Sequence, residues 1–332
     1  MSANRISLED YTAARQGAFL GAISARAQIA VAGKDRASYL QGLLTNDIAA
    51  LGPDAGCYAA WLTPQGRMLT DLHVLQSDDM ILLDVPAELA ETILQRLDQF
   101  LFSEDVQLAA LAGNLQPVWI HGQSAPDVLS RVVADAPSFD AWRDYQHARL
   151  AFQSVPVVVA RINQLGVPGF CLYVAADQAD ALVASLQANG AATVDESLIN
   201  AMRVEEGYPV FGRDMTDDTI PLEANIEARA ISFTKGCYVG QEVVIRVLHR
   251  GGGRVARRLV GLRSNDDMAV ATKLCSGERE IGFVTSAAMS PALGPIALGY
   301  VHRDFTSPGT EVSVDGAAGR IAATVTVRPI AS

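Results

Sequence analysis

The sequence predicts an α+β chain in which antiparallel sheets and helices alternate, followed by a small all-β domain. Three observations carry this expectation. Apolar segments separated by short turn-formers fill positions 57–85, and an alternation of strands and helix returns at 155–190. Toward the end of the chain short strands dominate, with turn residues about every eight to twelve positions.

Residues 28–32, QIAVA, alternate like a strand, and Gly33 then opens KDRASYLQGLLTNDIAAL, where Tyr39, Leu40, Leu43, Leu44 and Ile48 recur at helical spacing. CYAAWLT (57–63), MLTDLHVLQ (68–76) and MILLDV (80–85), joined by PQGR and SDD, read as consecutive hairpins and hence as an antiparallel meander. In PAELAETILQRLDQFLF, Pro86 suits a first helical turn and Leu89, Ile93, Leu97 and Leu101 share one face, so a helix should pack on that meander. VPVVVARI (155–162) and FCLYVAA (170–176) flank the loop NQLGVPG, and DQADALVASLQANG reads as a helix stopped by Gly190. Residues 195–206 read as helical. GYPVFGRDMTDDTIPLEAN (207–225), rich in Gly, Pro and Asp, must be largely ordered loop, and a loop of that length in a compact domain is more often functional than accidental. HRGGGRVARR (249–258) resembles a linker, beyond which a small all-β domain ends on the Gly-rich VDGAAGRIAATVTV.

The chain has 332 residues, 49% hydrophobic and 19% charged, which is globular composition with room for two or three domains. A formal net charge of -11 and a pI near 4.9 repel polyanions, so general nucleic-acid binding is not expected. Cys57, Cys171, Cys237 and Cys275 are far apart and the five histidines are equally scattered, so no compact zinc or iron–sulfur site is expected within a single chain. MSANRISLEDYTAARQG carries Glu9 and Asp10 and no long apolar core, unlike a secretory signal or an acid-poor transit peptide. No apolar stretch approaches the roughly 20 residues of a membrane span, and the expectation is a cytoplasmic protein with reduced thiols.

Three groups of residues could carry chemistry. Cys237 follows Lys235 by two positions and precedes Arg246, with Gly236 and Gly240 permitting tight backbone; it is either a thiol activated by a nearby cation or a small buried hydrophobe. Arg203, Glu205 and Glu206 end a helix beside a loop holding Tyr208 and Phe211. A carboxylate among rings can accept the N–H donors of a heterocycle, while the plainer reading is a solvated face. Arg246, Arg250, Arg254, Arg257, Arg258 and Arg263 share a stretch without Asp or Glu, suited to a polycarboxylate or phosphates, or simply to a solvated linker. Neither GGG (251–253) nor TPQGR (63–67) has the strand–loop–helix context of a phosphate loop.

Six segments together resemble a known family: YLQGLLTNDI (39–48), LTPQGRMLTDL (62–72), MRVEEGYPVFGRD (202–214), IPLEAN (220–225), KGCYVGQEV (235–243) and IGFVTSAAMSPALGPIALGYV (281–301). The resemblance is to the YgfZ-type folate-binding proteins, including mitochondrial iron–sulfur assembly relatives, which are similar to the glycine-cleavage T-protein, an aminomethyltransferase. It runs nearly the whole chain. KGCYVGQE is specific to the YgfZ branch, and the other segments are shared with the T-protein.

The resemblance implies a T-protein-like folate-binding region of two α+β modules over 1–248, around a folate-sized hole, and a C-terminal β-barrel domain over 249–332. It implies tetrahydrofolate as ligand, with or without a polyglutamyl tail. Glu205 would match the carboxylate that recognises the pterin, with Arg203 and Phe211 beside it and Arg246 toward the glutamyl tail; Lys235 and Cys237 occupy motif positions thought to carry function. In the T-protein the turn matching GRMLTDL has two consecutive Asp residues, the first catalytic. Here that position is Thr70 and only Asp71 is retained. A hydroxyl holds its proton too tightly near neutral pH to replace a carboxylate, which leaves enzymatic activity open. One implied function is an accessory protein supporting assembly or repair of iron–sulfur enzymes, including tRNA-modifying ones, with assembly proteins or client enzymes as partners. The alternative is a folate-dependent aminomethyl or methyl transferase or demethylase using Asp71 or Cys237. A folate-free interaction module on an old enzyme scaffold is the third.

Overall fold

The computed structural model describes residues 6–249, 254–316 and 319–330. The expected meander forms: Ala55–Leu62, Met68–Gln76, Met80–Pro86, Arg26–Ala32 and Gln107–Ala110 lie side by side in that order as a five-stranded antiparallel sheet. Strand alternation gives this sheet two different faces. Ile29, Val31, Trp61, Leu72, Val74 and Leu83 point to one, where helices Arg36–Leu43 and Ala90–Asp98 cover them.

The helix opened after Gly33 was expected to continue to Ile48, but it stops at Leu43. Leu44 instead bridges to Trp61, and the Thr45 amide bonds the Ala60 carbonyl at 3.0 Å. Leu44 and Ile48 still bury in the same core, which is why their spacing looked helical. The next helix also begins later than its apolar face implied: Pro86 closes a strand, and a single 3-10 turn precedes Ala90.

A second sheet has the order Ala191–Thr193, Ala18–Leu20, Leu115–His121, Gly169–Ala175, Val155–Arg161 and His147–Phe152. Its outer face packs on helices Ala125–Val132 and Ala179–Ala188. Its inner face meets the inner face of the first sheet: Trp119, Cys171 and Tyr173 bury against Leu75 and Leu82. The two modules therefore stack sheet to sheet with helices outside.

Helix Glu196–Glu206 begins where the Asp195 side chain accepts from the Ser197 amide at 2.8 Å, and ends at Gly207, whose φ of 69° admits the left-handed turn that stops it. Beyond the loop expected at 207–225, which includes one short helix at Pro221–Ala224, helix Gln241–His249 leads toward the last domain. There Arg257–Ser264, Gly294–His302, Arg279–Ser290, Lys273–Ser276, Glu311–Gly316 and Gly319–Thr326 close into a six-stranded barrel around Leu262, Leu274, Val301 and Val314. Residues 250–253, within the expected linker, lie outside the described residues. Among the described residues no helix is long and apolar enough to cross a membrane.

Candidate functional site

The inner face of the first sheet is polar where a second sheet covers it. Alternation along Met68–Gln76 turns Asp71 and His73 inward, and the neighbouring strands add Tyr58, Asp84, Gln28 and Arg26. Arg26 Nε donates to Asp84 Oδ2 at 2.7 Å and Nη1 to Asp71 Oδ1 at 3.3 Å. Gln28 Nε2 donates to Asp84 Oδ1 at 2.8 Å, His73 Nδ1 lies 2.7 Å from Asp84 Oδ2, and the Tyr58 hydroxyl donates to Asp71 Oδ2 at 2.9 Å. Burial by itself would raise the Asp84 carboxyl, but the Arg26 guanidinium, His73 and Gln28 outweigh it and hold the group below the ordinary carboxylate range. Burial and the Arg26 charge lower His73, so its imidazole is neutral.

Aromatic rings close the chamber. The His73 ring lies 5.7 Å from Tyr145, 5.9 Å from Tyr58 and 6.4 Å from Trp119, and Trp119 stacks on His121 at 5.8 Å. On the remaining side the Arg229 guanidinium lies 4.0 Å from the Tyr208 ring centre and 4.5 Å from that of Tyr58. Buried side-chain atoms here have no hydrogen-bond partner among the described residues: His73 Nε2, Trp119 Nε1, and Arg229 Nε and Nη2. Protein interiors pair nearly all such atoms, so their concentration here suits a polar, flat ligand.

A cleft of about 490 Å³ lies alongside, lined by Asp144, Glu206, Tyr208, Arg229 and Arg328 among others. Burial raises the carboxyls of Asp144 and Glu206. Burial first, then the neighbouring Arg229 charge, lowers Arg328 to about 10. Arg229 and Arg328 form no ion pair within 4 Å among the described residues, Arg328 donates to the Gly207, Ala224 and Asn225 carbonyls, and the carboxyls of Asp144 and Glu206 share the cleft, so this end carries both signs of charge.

Residues 2–235 match the family described as the GCVT N-terminal domain, and residues 257–331 match the glycine cleavage T-protein C-terminal barrel domain. The chain belongs to this T-protein family. It is 30% identical to an aminomethyltransferase of Geobacillus kaustophilus over 336 residues, covering 97% of this chain and 89% of the relative. An aminomethyltransferase of Streptomyces coelicolor is 29% identical over 317 residues, covering 92% and 84%. The crystal structure of the glycine cleavage system aminomethyltransferase T from Bartonella henselae superposes with a TM-score of 0.86 at 25% identity, over 98% of this chain and 89% of that one.

Within this T-protein fold, the residues singled out from the sequence fall in different places. Asp71 is in the central chamber. Arg203 is wholly buried and donates to Tyr208 O and Asp214 Oδ2 at 2.8 Å, to Ser286 Oγ at 2.8 Å and to Asn200 Oδ1 at 3.0 Å, tying its helix to the following loop and to the barrel. Glu205 accepts from the Tyr11 hydroxyl at 2.7 Å and from Ser290, with Arg15 at 3.6 Å, which joins helix Leu8–Gln16 to the barrel. Phe211 is half-buried against the Met215–Leu222 core.

Lys235 is buried, and its ammonium donates to three carbonyls, Gln41 and Leu44 at 2.7 Å and Asn46 at 2.8 Å, capping the end of helix Arg36–Leu43; burial lowers it to about 8. Its charge is thus directed into that cap, and Cys237 is exposed on the loop it anchors. Arg246 is exposed on helix Gln241–His249, Arg257 and Arg258 pair with Glu223 and Glu227, and Arg250 lies outside the described residues. The chamber residues that sequence reasoning passed over are Arg26, Tyr58, His73, Asp84, Trp119 and Arg229. A readable signal existed for two of them: His73 and Asp84, like Asp71, interrupt otherwise apolar strands at inward register.

Proposed function

We propose that this chain binds tetrahydrofolate between its two sheets and moves a one-carbon unit on it, with Asp71 as the group that exchanges protons with the reacting amine. The observation that carries the reading is Arg229, a buried guanidinium held between the rings of Tyr58 and Tyr208 with two nitrogens unpartnered. It stands between an aromatic chamber suited to a pterin and a cleft of mixed charge whose guanidiniums, Arg229 and Arg328, suit the carboxylates of a glutamyl tail. Tetrahydrofolate, when bound, supplies the nitrogen that carries the one-carbon unit. The chain's own contribution is to orient that heterocycle among the rings, keep water out, and present the Asp71 carboxylate, fixed by Tyr58 and Arg26. The kinship to aminomethyltransferases supports transfer chemistry in particular.

Calorimetric titration with mono- and polyglutamyl tetrahydrofolate, together with an assay for 5,10-methylenetetrahydrofolate formed from a methylamine donor, tests this. Binding, with turnover that Asp71→Asn removes, is the expected result; absence of binding overturns the reading. A second reading is favoured by one observation, the exposed Cys237 within KGCYVGQE. In that reading the folate-loaded protein supports iron–sulfur enzymes, including tRNA-modifying ones, and its thiol meets the partner. Binding without turnover for any methylamine donor, and loss of support for such enzymes in Cys237→Ala, would favour it.

A further inference from the structure

His73 has no part in the chemistry assigned so far, yet it is held in the chamber by a buried carboxylate. It is fully buried, and Asp84 lies 2.7 Å from its Nδ1. That carboxylate also takes Gln28 Nε2 at 2.8 Å and Arg26 Nε at 2.7 Å. A carboxylate receiving three donors, one of them a guanidinium, carries no proton of its own, so the proton between it and the imidazole resides on Nδ1. The tautomer is thereby fixed, and Nε2 is left as a lone pair. This atom is buried and has no partner among the described residues.

A second unpartnered atom stands close by with the opposite polarity. The Trp119 indole N–H is buried and unbonded, and its ring meets His73 edge-on at 6.4 Å. One fixed acceptor and one donor, walled by the rings of Tyr58 and Tyr145, complement a flat ring edge that presents N–H beside C=O. The 4-oxo edge of a pterin is such a lactam. A 4-amino ring reverses both atoms, offering a donor where the carbonyl stood and a lone pair where the N–H stood.

We propose that His73 is the specificity-determining residue of the chamber: its Nε2 accepts the ring N–H of a lactam heterocycle, with the Trp119 N–H positioned for the adjoining carbonyl, and Asp84 positioning the imidazole. The inference rests on the folate reading above and names the edge of the ligand that is read. Polar groups left unpaired in a dry site are what make such recognition selective, because the wrong analogue leaves them buried without partners.

The test is calorimetry of the full chain with tetrahydrofolate and with its 4-amino analogue, using wild type, His73→Phe and His73→Gln. Wild type should prefer the 4-oxo compound by at least about tenfold, the effect of roughly one unmade buried hydrogen bond. His73→Phe should lose most of that preference, and His73→Gln, which restores an acceptor oxygen, should regain part of it. Equal preference in wild type and His73→Phe would overturn the role of His73 while leaving folate binding intact. Binding of neither compound to wild type would instead remove the folate reading itself. Should the variants fail to fold, nitrogen-15 NMR of the wild-type imidazoles decides: a neutral ring protonated at Nδ1, whose Nε2 resonance moves on adding tetrahydrofolate, is expected. An Nε2–H tautomer, or an Nε2 resonance unmoved at saturation, would overturn the proposal.

Discussion

The Tyr58 hydroxyl donates to the Asp71 carboxylate at 2.9 Å, whereas Thr70, one residue earlier on the same strand, faces the opposite side. Thr70 pairs across from Trp61, whose ring belongs to the helix-covered core, and its hydroxyl donates to the Asp71 carbonyl at 2.9 Å. Thr70 therefore does not take the place of an acid in the chamber. Asp71→Asn should lower one-carbon transfer at least roughly a hundredfold, the usual scale for losing a positioned proton-transfer group. Thr70→Val should leave it nearly unchanged. Thr70→Asp should restore nothing and should cost about 3–5 kcal/mol in urea denaturation, since it places an uncompensated charge in an apolar core.

Arg229 has two buried nitrogens without a partner among the described residues and lines a cleft together with Arg328. Arg229→Met should weaken tetrahydrofolate binding by about tenfold or more, in line with roughly 1.5–3 kcal/mol for a hydrogen bond to a charged group. Calorimetry at low and high salt checks this, and the wild-type affinity should fall more steeply with salt than that of the variant.

Arg203 and Glu205 join modules through protein partners, and their substitutions should register as stability changes. Arg203→Met strands the buried Asp214 carboxylate, which keeps Thr285, Ser286 and the Val210 amide as donors; the expected loss is roughly 3 kcal/mol. Glu205→Gln keeps an oxygen acceptor for Tyr11 or Ser290, so folate affinity should stay within a few-fold of wild type while the melting temperature falls. A large loss of affinity in Glu205→Gln with unchanged melting would return Glu205 to the pterin-binding role that the sequence resemblance implied.

His121 is buried, stacked on Trp119 and bonded through Nε2 to the Gly21 carbonyl at 3.0 Å. Burial lowers it from 6.5 to about 4, against the smaller opposing effect of that bond. Between these values the unfolded chain binds the extra proton and the folded one does not, so stability rises with pH across this window and is lost as pH falls toward 4. The group accounts for about 3 kcal/mol of that loss. His121→Phe should flatten the corresponding part of a stability-versus-pH curve measured by urea unfolding.

Cys237 is exposed, whereas Cys171 and Cys275 are buried and burial pushes the Cys57 thiol up to about 12. One thiol should react promptly with an aromatic disulfide reagent in the native protein and four after unfolding. Cys237→Ala should remove the prompt fraction and leave folate affinity unchanged. A drop in affinity would place the thiol in the ligand site.

The sequence by itself determined the meander over 57–85, the helix after residue 178, the long loop over 207–225 and the closing β-domain, because each follows from local periodicity and turn chemistry. Its family motifs also pointed to a T-protein relative, and Asp71 was identified within one of them. Local spacing misjudged the helix after Gly33, since burial of Leu44 and Ile48 depends on the core they enter and not on a helical backbone. Only the tertiary structure decided what the polar residues do. Lys235 seemed a partner for Cys237 because the two are two positions apart in sequence, but its ammonium reaches three carbonyls nearly two hundred positions earlier. His73 and Trp119 are far apart in the chain and come together because two sheets stack face to face, so the pairing of a buried acceptor with a buried donor exists only in the folded molecule.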